Sequence, residues 1–383
     1  MNNETKNIQP RKISVCQPFL GGRELEYVSE AIQTGWISST GKYVTAFEEE
    51  FSKYCGVRHG IAVCNGTIAI HLALVALGVG PEDEVIIPDF TMIATAAAVT
   101  YTGAVPVFVD VDPSNWNIDP ARIEEKITAR TKAIMPVSIF GNPCDMNQIH
   151  DIARRHNLHI IEDAAEAHGA EYKGKKTGAL ADITAFSFFA NKNLTTGEGG
   201  IVVTDDKGLA DRCRYFKNLC FPLTGSRNYI HQDIGFNYRM SNLHAAIGLA
   251  QVEKADEYRA MRIRNFVLYK KYLKDVASIF FQKDVPGGLN VHWMNAIVVD
   301  PKNLGRTRDQ LMKYLKSKGI ETRLLFVGMH RQPCLAKAGC DCTGQYPVTD
   351  NLTENGLYLP SASDLTEGDI SYVCESIRAA AHV

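Results

Sequence analysis

The sequence predicts an α/β protein. A large domain built on a mainly parallel, seven-stranded sheet between helices is followed by a small C-terminal α+β domain. Three observations predict it. A chain of 383 residues exceeds what one ordinary core organises, which suggests a large domain plus a smaller one. From residue 60 to residue 204, short and near-continuous apolar runs alternate with helical stretches, the pattern of strands buried on both faces. After Pro286-Gly287-Gly288 the pattern changes, as a new domain requires.

In order, the candidate strands are 61–64, 84–88, 105–109, 133–137, 159–162, 183–188 and 200–204. Helices are expected between them at 67–77, 91–102, 120–126 and 146–156. A stretch from 242 to about 276, rich in Ala, Leu, Glu, Lys and Arg, reads as a long helical connector. A strand at 291–299, a helix at 308–318, a strand at 320–325 and a final helix at 367–380 make up the small domain. The division places 1–255, N-terminal segment included, in the large domain and 256–383 in the small one. The sequence contains no internal repeat and no low-complexity segment.

Composition excludes several classes of function. The apolar share of 45% and charged share of 22% are those of a globular protein in water. A net charge of -2 without charge blocks gives no reason to expect nucleic acid or an anionic membrane as partner. The most hydrophobic region, 85–111, is interrupted by Pro88, Asp89, Gly103, Pro106 and Asp110, which argues against a membrane span. Residues 1–12 are polar and lack the apolar stretch of a secretory signal. The ten irregularly spaced cysteines then read as reduced thiols of a cytoplasmic protein. His330, Cys334, Cys340 and Cys342 could supply four zinc ligands, but C-x-C in Gly-rich surroundings is not the usual pair of C-x-x-C knuckles, and no metal is expected.

Open α/β sheets bind ligands at the carboxyl ends of their strands. Asn65-Gly66-Thr67 follows the first strand and opens a helix. Free amides there, with a Thr hydroxyl, suit a phosphate, although a plain N-cap at Thr67 explains the same residues. The fifth strand ends in Glu162-Asp163, with Glu166 and His168 close behind. A carboxylate at that place can keep a pyridine nitrogen protonated, and a solvated acidic loop is the competing reading. The sixth strand leads to a lone Lys192 in a loop that continues through Thr196-Gly197-Glu198-Gly199-Gly200. Buried lysines lose their charge more readily and attack aldehydes, whereas most isolated lysines are solvated. Phosphate loop, acid and lysine thus occur in order, each at a strand end.

These motifs together resemble the DegT/DnrJ/EryC1/StrS sugar aminotransferases, fold-type I enzymes that use pyridoxal 5'-phosphate (PLP). The resemblance runs from Gly35-Trp-Ile-Ser38 to Met329-His330-Arg-Gln-Pro333. It is carried most specifically by SFFANKNLTTGEGG and by GFNYRMSNLHAAIG, residues 235–248. It implies that Lys192 forms the Schiff base with PLP and moves protons, and that Asp163 partners the pyridine nitrogen. Glu166, often Gln in relatives, matches a position near the ring hydroxyl. Gly66, Thr67 and Ser187 match phosphate ligands. Asn237 matches a residue that reaches the phosphate of a neighbouring subunit, which implies a homodimer with shared active sites. His330 matches a position near the sugar-nucleotide cleft, and Trp36 and Ser38 a loop that approaches the substrate. Many relatives stack an aromatic residue on the PLP ring where this chain has Met92, and a thioether can pack there instead.

Related dehydratases carry His at the lysine position, so Lys192 favours transamination. The implied reaction is ping-pong, from L-glutamate to a 4-keto-6-deoxy nucleotide sugar. The segment Gly35-Trp-Ile-Ser-Ser-Thr-Gly41 and the run SFFANKNLTTGEGG look most like the branch that aminates GDP-4-keto-6-deoxy-D-mannose to GDP-perosamine. Branches acting on dTDP- or UDP-linked sugars share most of these motifs. A PLP-binding homologue without turnover would be expected to lose the lysine or the acid, and both are present. A dinucleotide-binding oxidoreductase needs a Gly-rich fingerprint that Val63-Cys-Asn-Gly66-Thr lacks. A PLP lyase is disfavoured by the resemblance alone.

Overall fold

The computed structural model describes residues 12–225 and 229–381. The signal-free reading of residues 1–12 falls, except for Lys12, outside them. Among the described residues, seven strands form the large sheet: β1 (His59–Val63), β2 (Glu84–Pro88), β3 (Val105–Val109), β4 (Thr131–Ile134), β5 (His159–Asp163), β6 (Ile183–Ser187) and β7 (Gly200–Thr204). Their order is β1-β7-β6-β5-β4-β2-β3. β7 runs antiparallel to both of its neighbours and the other pairs are parallel, so the sheet is mainly parallel, as expected.

Successive strand residues point to opposite faces, and the core divides accordingly. Ile61, Val63, Ala185 and Val202 pack with helices α3 (Gly66–Leu77), α4 (Ile93–Tyr101) and α6 (Lys207–Lys217). Ala62, Phe186, Ile201 and Val203 pack with α2 (Lys42–Cys55) and α7 (Asn242–Val252). Farther along that second face, Ile86, Ile134 and Ile160 meet α5 (Met146–His156). α5 begins where the Asp145 side chain accepts from the Gln148 N–H, and it ends at Asn157 in the left-handed region, with Arg154, Arg155 and His156 in its last turn. α1 (Glu24–Gln33) lies against α7.

From α7 the chain enters α8 (Ala255–Leu273) and a second, antiparallel sheet. Its strands are β8 (Ile279–Phe281), β9 (Asn295–Val299), β10 (Arg323–Leu324) and β11 (Gly356–Leu359), in the order β8-β9-β11-β10. Helices α9 (Arg308–Ser317) and α10 (Glu367–Ala381) close its core. The N-terminal segment packs here too. Ile13 bridges Ile320, and the Val15 carbonyl accepts from the Ser361 N–H at 2.7 Å. No helix among the described residues is long and apolar enough to cross a membrane.

Several expected elements differ in detail. The expected helix at 120–126 is two 3₁₀ turns, Pro120–Arg122 and Glu124–Lys126. Ile123 is the fully buried anchor between them, too narrow a face to hold an α-helix. The expected connector at 242–276 breaks at Glu253–Lys254 into α7 and α8. The strand expected at 291–299 starts at Asn295, because the N–H groups of Val291 and Trp293 bond to the carbonyls of Gly141 and Phe140 rather than to the sheet. The strand expected at 320–325 is reduced to two residues, since the Ile320 N–H still caps α9 through the Leu315 carbonyl.

Candidate active site

The ends of β2, β5 and β6 and the start of α3 open onto one cavity of about 600 Å³. Alternation along β5 decides which acid enters it. Asp163 lines the cavity. Glu162 points away and is bonded to Ser138 Oγ at 2.9 Å and the Gly178 N–H at 3.1 Å. His168 is also turned from the cavity. It is buried among the rings of Phe51, Phe186 and Phe188, and burial lowers its pKa to about 3.

Asp163 is almost fully buried. Its Oδ2 accepts from Thr95 Oγ1 at 2.8 Å and its Oδ1 accepts from the Ala165 N–H at 3.1 Å. Thr95 lies 2.9 Å from Thr91 Oγ1, so the start of α4 orients the carboxylate. Burial raises the Asp163 pKa, opposed first by the Thr95 hydrogen bond.

Lys192 comes into the same cavity from the loop after β6. Its Nζ lies 3.6 Å from Glu166 Oε1 and 3.7 Å from the ring centre of Trp293. Burial lowers its pKa, while Glu166 and Asp163 pull the other way. Glu166 Oε2 accepts from the Phe140 N–H at 2.7 Å, and burial lifts its carboxyl to about 7. Both shifts share one cause: this interior opposes charge on either partner, lowering the lysine and raising the carboxyl.

A third group is the α3 N-terminus. Asn65, not Thr67, is the N-cap, its side chain accepting from the Ile68 N–H at 3.0 Å. That leaves the Thr67 hydroxyl without a capping duty. Gly66 abuts β6 so closely that a Cβ there would lie 2.5 Å from Ser187 Cβ and 2.9 Å from its Oγ. A Cβ at Gly200 would lie 2.3 Å from the Asn65 carbonyl oxygen. The small residues thus let a helix start, a serine hydroxyl and a strand end converge, as a phosphate cradle requires. Buried lysine, buried carboxylate and helix-start cradle in one cavity fit PLP, which pairs an aldehyde and a pyridine nitrogen with a phosphate.

Gly66, Thr67, Met92, Asp163, Glu166, Ser187 and Lys192 all line this cavity. Met92 is 46% exposed, and its Sδ lies 3.0 Å from the Ala94 N–H at the start of α4. Four sequence-derived candidates lie outside the lining. Asn237 and Ser38 are exposed, and Trp36 is 59% exposed. The carbonyls of Trp36 and Ser38 accept from Asn242, which ties their loop to α7. His330 Nδ1 bonds to Asp89 Oδ2 at 2.7 Å, and its ring stacks on Tyr346. Among the described residues no group of three or more His, Cys, Asp or Glu side chains could hold a metal ion. The cavity also contains Thr91, Thr95, Asn191, Trp293 and Phe326, which strand-end reasoning did not single out. Thr91 and Thr95 carry a readable signal, an i, i+4 pair opening a helix after a strand. Trp293 and Phe326 come from distant sequence and carry none.

With this geometry in view, the likenesses to known proteins are specific. Residues 18–378 match the DegT/DnrJ/EryC1/StrS aminotransferase family. The chain is 47% identical over 367 residues to the GDP-perosamine synthase of Caulobacter vibrioides, covering 96% of this chain and 97% of that protein. To the GDP-perosamine synthase of Escherichia coli O157:H7 it is 44% identical over 367 residues, covering 96% and 98%. Among solved structures, DesI in the presence of its TDP-sugar product has a TM-score of 0.88 and 34% identity, over 97% of this chain and 93% of that one.

Proposed function

We propose that this chain, which belongs to the DegT/DnrJ/EryC1/StrS aminotransferase family, is a PLP-dependent transaminase. In this reading it moves the amino group of L-glutamate to carbon 4 of GDP-4-keto-6-deoxy-D-mannose, giving GDP-perosamine. The observation that carries the reaction is the buried Lys192 amine sharing a cavity with the Asp163 carboxylate beside the Gly66–Ser187 cradle. The GDP-linked sugar is favoured by the two relatives at 44% and 47% identity.

When bound, PLP supplies an aldehyde that captures the amine and a ring that takes up the electrons of the α-carbon bond. The chain's own residues do the rest. Gly66 and Thr67 at the α3 start and Ser187 Oγ hold the phosphate. Asp163, aimed by Thr95, holds a proton on the pyridine nitrogen. Glu166 would face the ring hydroxyl, and Met92 would pack against the ring. Lys192 Nζ would take the proton from the donor α-carbon and hand it to the cofactor within that half-reaction, and would run the transfer in reverse, onto the sugar carbon, in the return half. The exposed Asn237 reaches the phosphate of a second copy, so the working unit is a homodimer with shared sites. Trp36, Ser38 and His330 serve the sugar-nucleotide side. The absence of a spanning helix among the described residues suits a cytoplasmic enzyme handling two small polar substrates and neither nucleic acid nor membrane.

The test is an absorbance titration of the PLP-loaded protein. L-Glutamate is expected to bleach its yellow band, and GDP-4-keto-6-deoxy-D-mannose to restore it faster than the dTDP- or UDP-linked analogues. A band that ignores glutamate overturns the donor assignment. Faster recovery with a dTDP- or UDP-linked sugar overturns the GDP assignment.

A further inference from the structure

Both near neighbours of Lys192 Nζ are set by the backbone of one strained residue. Phe140 has φ 57° and ψ 15°, in the left-handed region that a bulky side chain rarely adopts. Its fully buried ring is wedged among Phe90, Trp116, Trp293, Phe326 and Tyr358, with centroids 5.2 to 6.5 Å away. This conformation aims the Phe140 N–H at Glu166 Oε2, 2.7 Å away. It aims the carbonyl at the Trp293 N–H, 2.8 Å away.

Trp293 is then held at two further points. Its indole N–H donates to the carbonyl of Asn191, the residue before Lys192, at 2.7 Å. Its own carbonyl accepts from Arg262 Nη1 at 3.2 Å, and the buried Arg262 also donates to the Ser361 carbonyl. The Asn191 carbonyl accepts a second time, from Cys16 Sγ at 3.4 Å. Side chains from the N-terminal segment and from the lead-in to β9 therefore converge on the loop that carries the lysine, and Arg262 of α8 braces Trp293 and Cys16 behind them.

We infer that Trp293 is a positioning residue of the reaction. Its indole N–H anchors the Lys192 loop through Asn191, and its ring face holds the lysine nitrogen opposite Glu166. The inference rests on the reading of Lys192 as the reacting lysine. A ring face attracts a cationic nitrogen, so the same contact favours the protonated form of whatever group Nζ becomes. It also fixes the direction from which Nζ meets a substrate carbon, and misplacement by about 1 Å can cost about 100-fold in rate.

Two variants of the PLP-loaded enzyme test this. Trp293→Phe keeps a ring and loses the N–H, whereas Trp293→Leu loses both. In Trp293→Leu the pH midpoint of the visible band is expected to fall by about 0.5–1, roughly a 3- to 10-fold loss in proton affinity. In Trp293→Phe the midpoint stays within about 0.3 of the parent. The kcat is expected to fall about 10- to 100-fold in Trp293→Leu and about 3- to 10-fold in Trp293→Phe, with KM for glutamate within about twofold. A purely structural tryptophan would lower the melting temperature and PLP content without moving the midpoint. A folded, loaded Trp293→Leu with parental midpoint and kcat overturns the inference. Should Trp293→Leu not fold, an unchanged kcat in Trp293→Phe overturns it. Lys192→Ala separates the premise: normal turnover there removes the reading of Lys192, whereas lost turnover there beside parental Trp293 variants removes this inference alone.

Discussion

Asp163→Asn removes one charge and keeps the volume, and the hydrogen bonds around the site can absorb the exchange. Oδ1 accepts from the Ala165 N–H, which can only donate, so the asparagine oxygen must take that place. The amide NH₂ then faces Thr95, whose hydroxyl turns to accept and donates instead to Thr91 Oγ1, 2.9 Å away. Every oxygen keeps a hydrogen-bond partner and only the Thr91 hydroxyl proton and one amide proton are released, so the variant is expected to fold. Stability moves in a defined direction. Burial raises the Asp163 pKa, so the stability due to its neutral form is full below the ordinary carboxylate range and is lost as pH rises through the raised value. Asparagine suffers no such loss, and at pH 8 the cofactor-free variant should melt at or above the parental temperature. Catalysis moves the other way. An opposite charge at close range changes a partner's pKa by about 1–3, which is about 1.4–4 kcal/mol. The glutamate half-reaction should therefore slow by about 10- to 1,000-fold. Stopped-flow bleaching of the visible band under saturating glutamate, beside a thermal melt, measures both. A variant that melts normally and bleaches within twofold of the parent rate would refute the role of Asp163.

Glu166→Gln should flatten the limb of the kcat/KM profile that lies near pH 7, because burial lifts Glu166 to about 7 and glutamine does not titrate. In the cofactor-free protein, the stability due to neutral Glu166 is full below about 4.5 and is lost as pH rises through about 7, so melts of the glutamine variant should lack that fall. Gly66→Ala places a Cβ 2.5 Å from Ser187 Cβ. It should cost about 1–3 kcal/mol in denaturant unfolding and weaken PLP binding at least about tenfold, read by equilibrium dialysis. Asn237→Ala and Lys192→Ala, each inactive alone, should regain about a quarter of parental activity when unfolded together and refolded, because half of randomly mixed dimers carry one intact site. No regain would count against shared sites. His330→Phe strips the ring partner from the fully buried Asp89 and should cost about 1–3 kcal/mol, read by denaturant unfolding.

Where a segment's surroundings are the same on both sides, the local pattern is enough to place it. Strand 84–88 is found at the expected residues because it is buried throughout and demands a near-continuous apolar run, and the edge strand 105–109 is found there too although Val105 is exposed and Val107 half-buried. Helix 146–156 is found there too, since Asp145 and Asn157 are local start and stop signals. α2 was not among the expected helices, although Tyr43, Phe47, Phe51 and Cys55 recur at helical spacing ahead of the region where strands and helices alternate. Lys192, Asp163, Gly66 and Thr67 line one cavity because the parallel sheet gathers strand ends on one edge, turning order along the chain into neighbourhood in space, and Glu166 and Ser187, singled out through the family resemblance, line it too. Trp293 was not legible in the sequence, for its bond to Asn191 spans 102 residues and no period or motif connects the two. Phe140 was hidden for a stronger reason. Local preference places a phenylalanine in extended or right-handed backbone, and it occupies neither. A conformation costing about 1–3 kcal/mol persists only when its surroundings over-determine it, and here the surroundings are five aromatic rings drawn from positions far apart in the sequence. The residue that local rules misjudge is therefore the one through which the aromatic core sets the neighbours of Lys192, and packing and chemistry at this point cannot be changed independently.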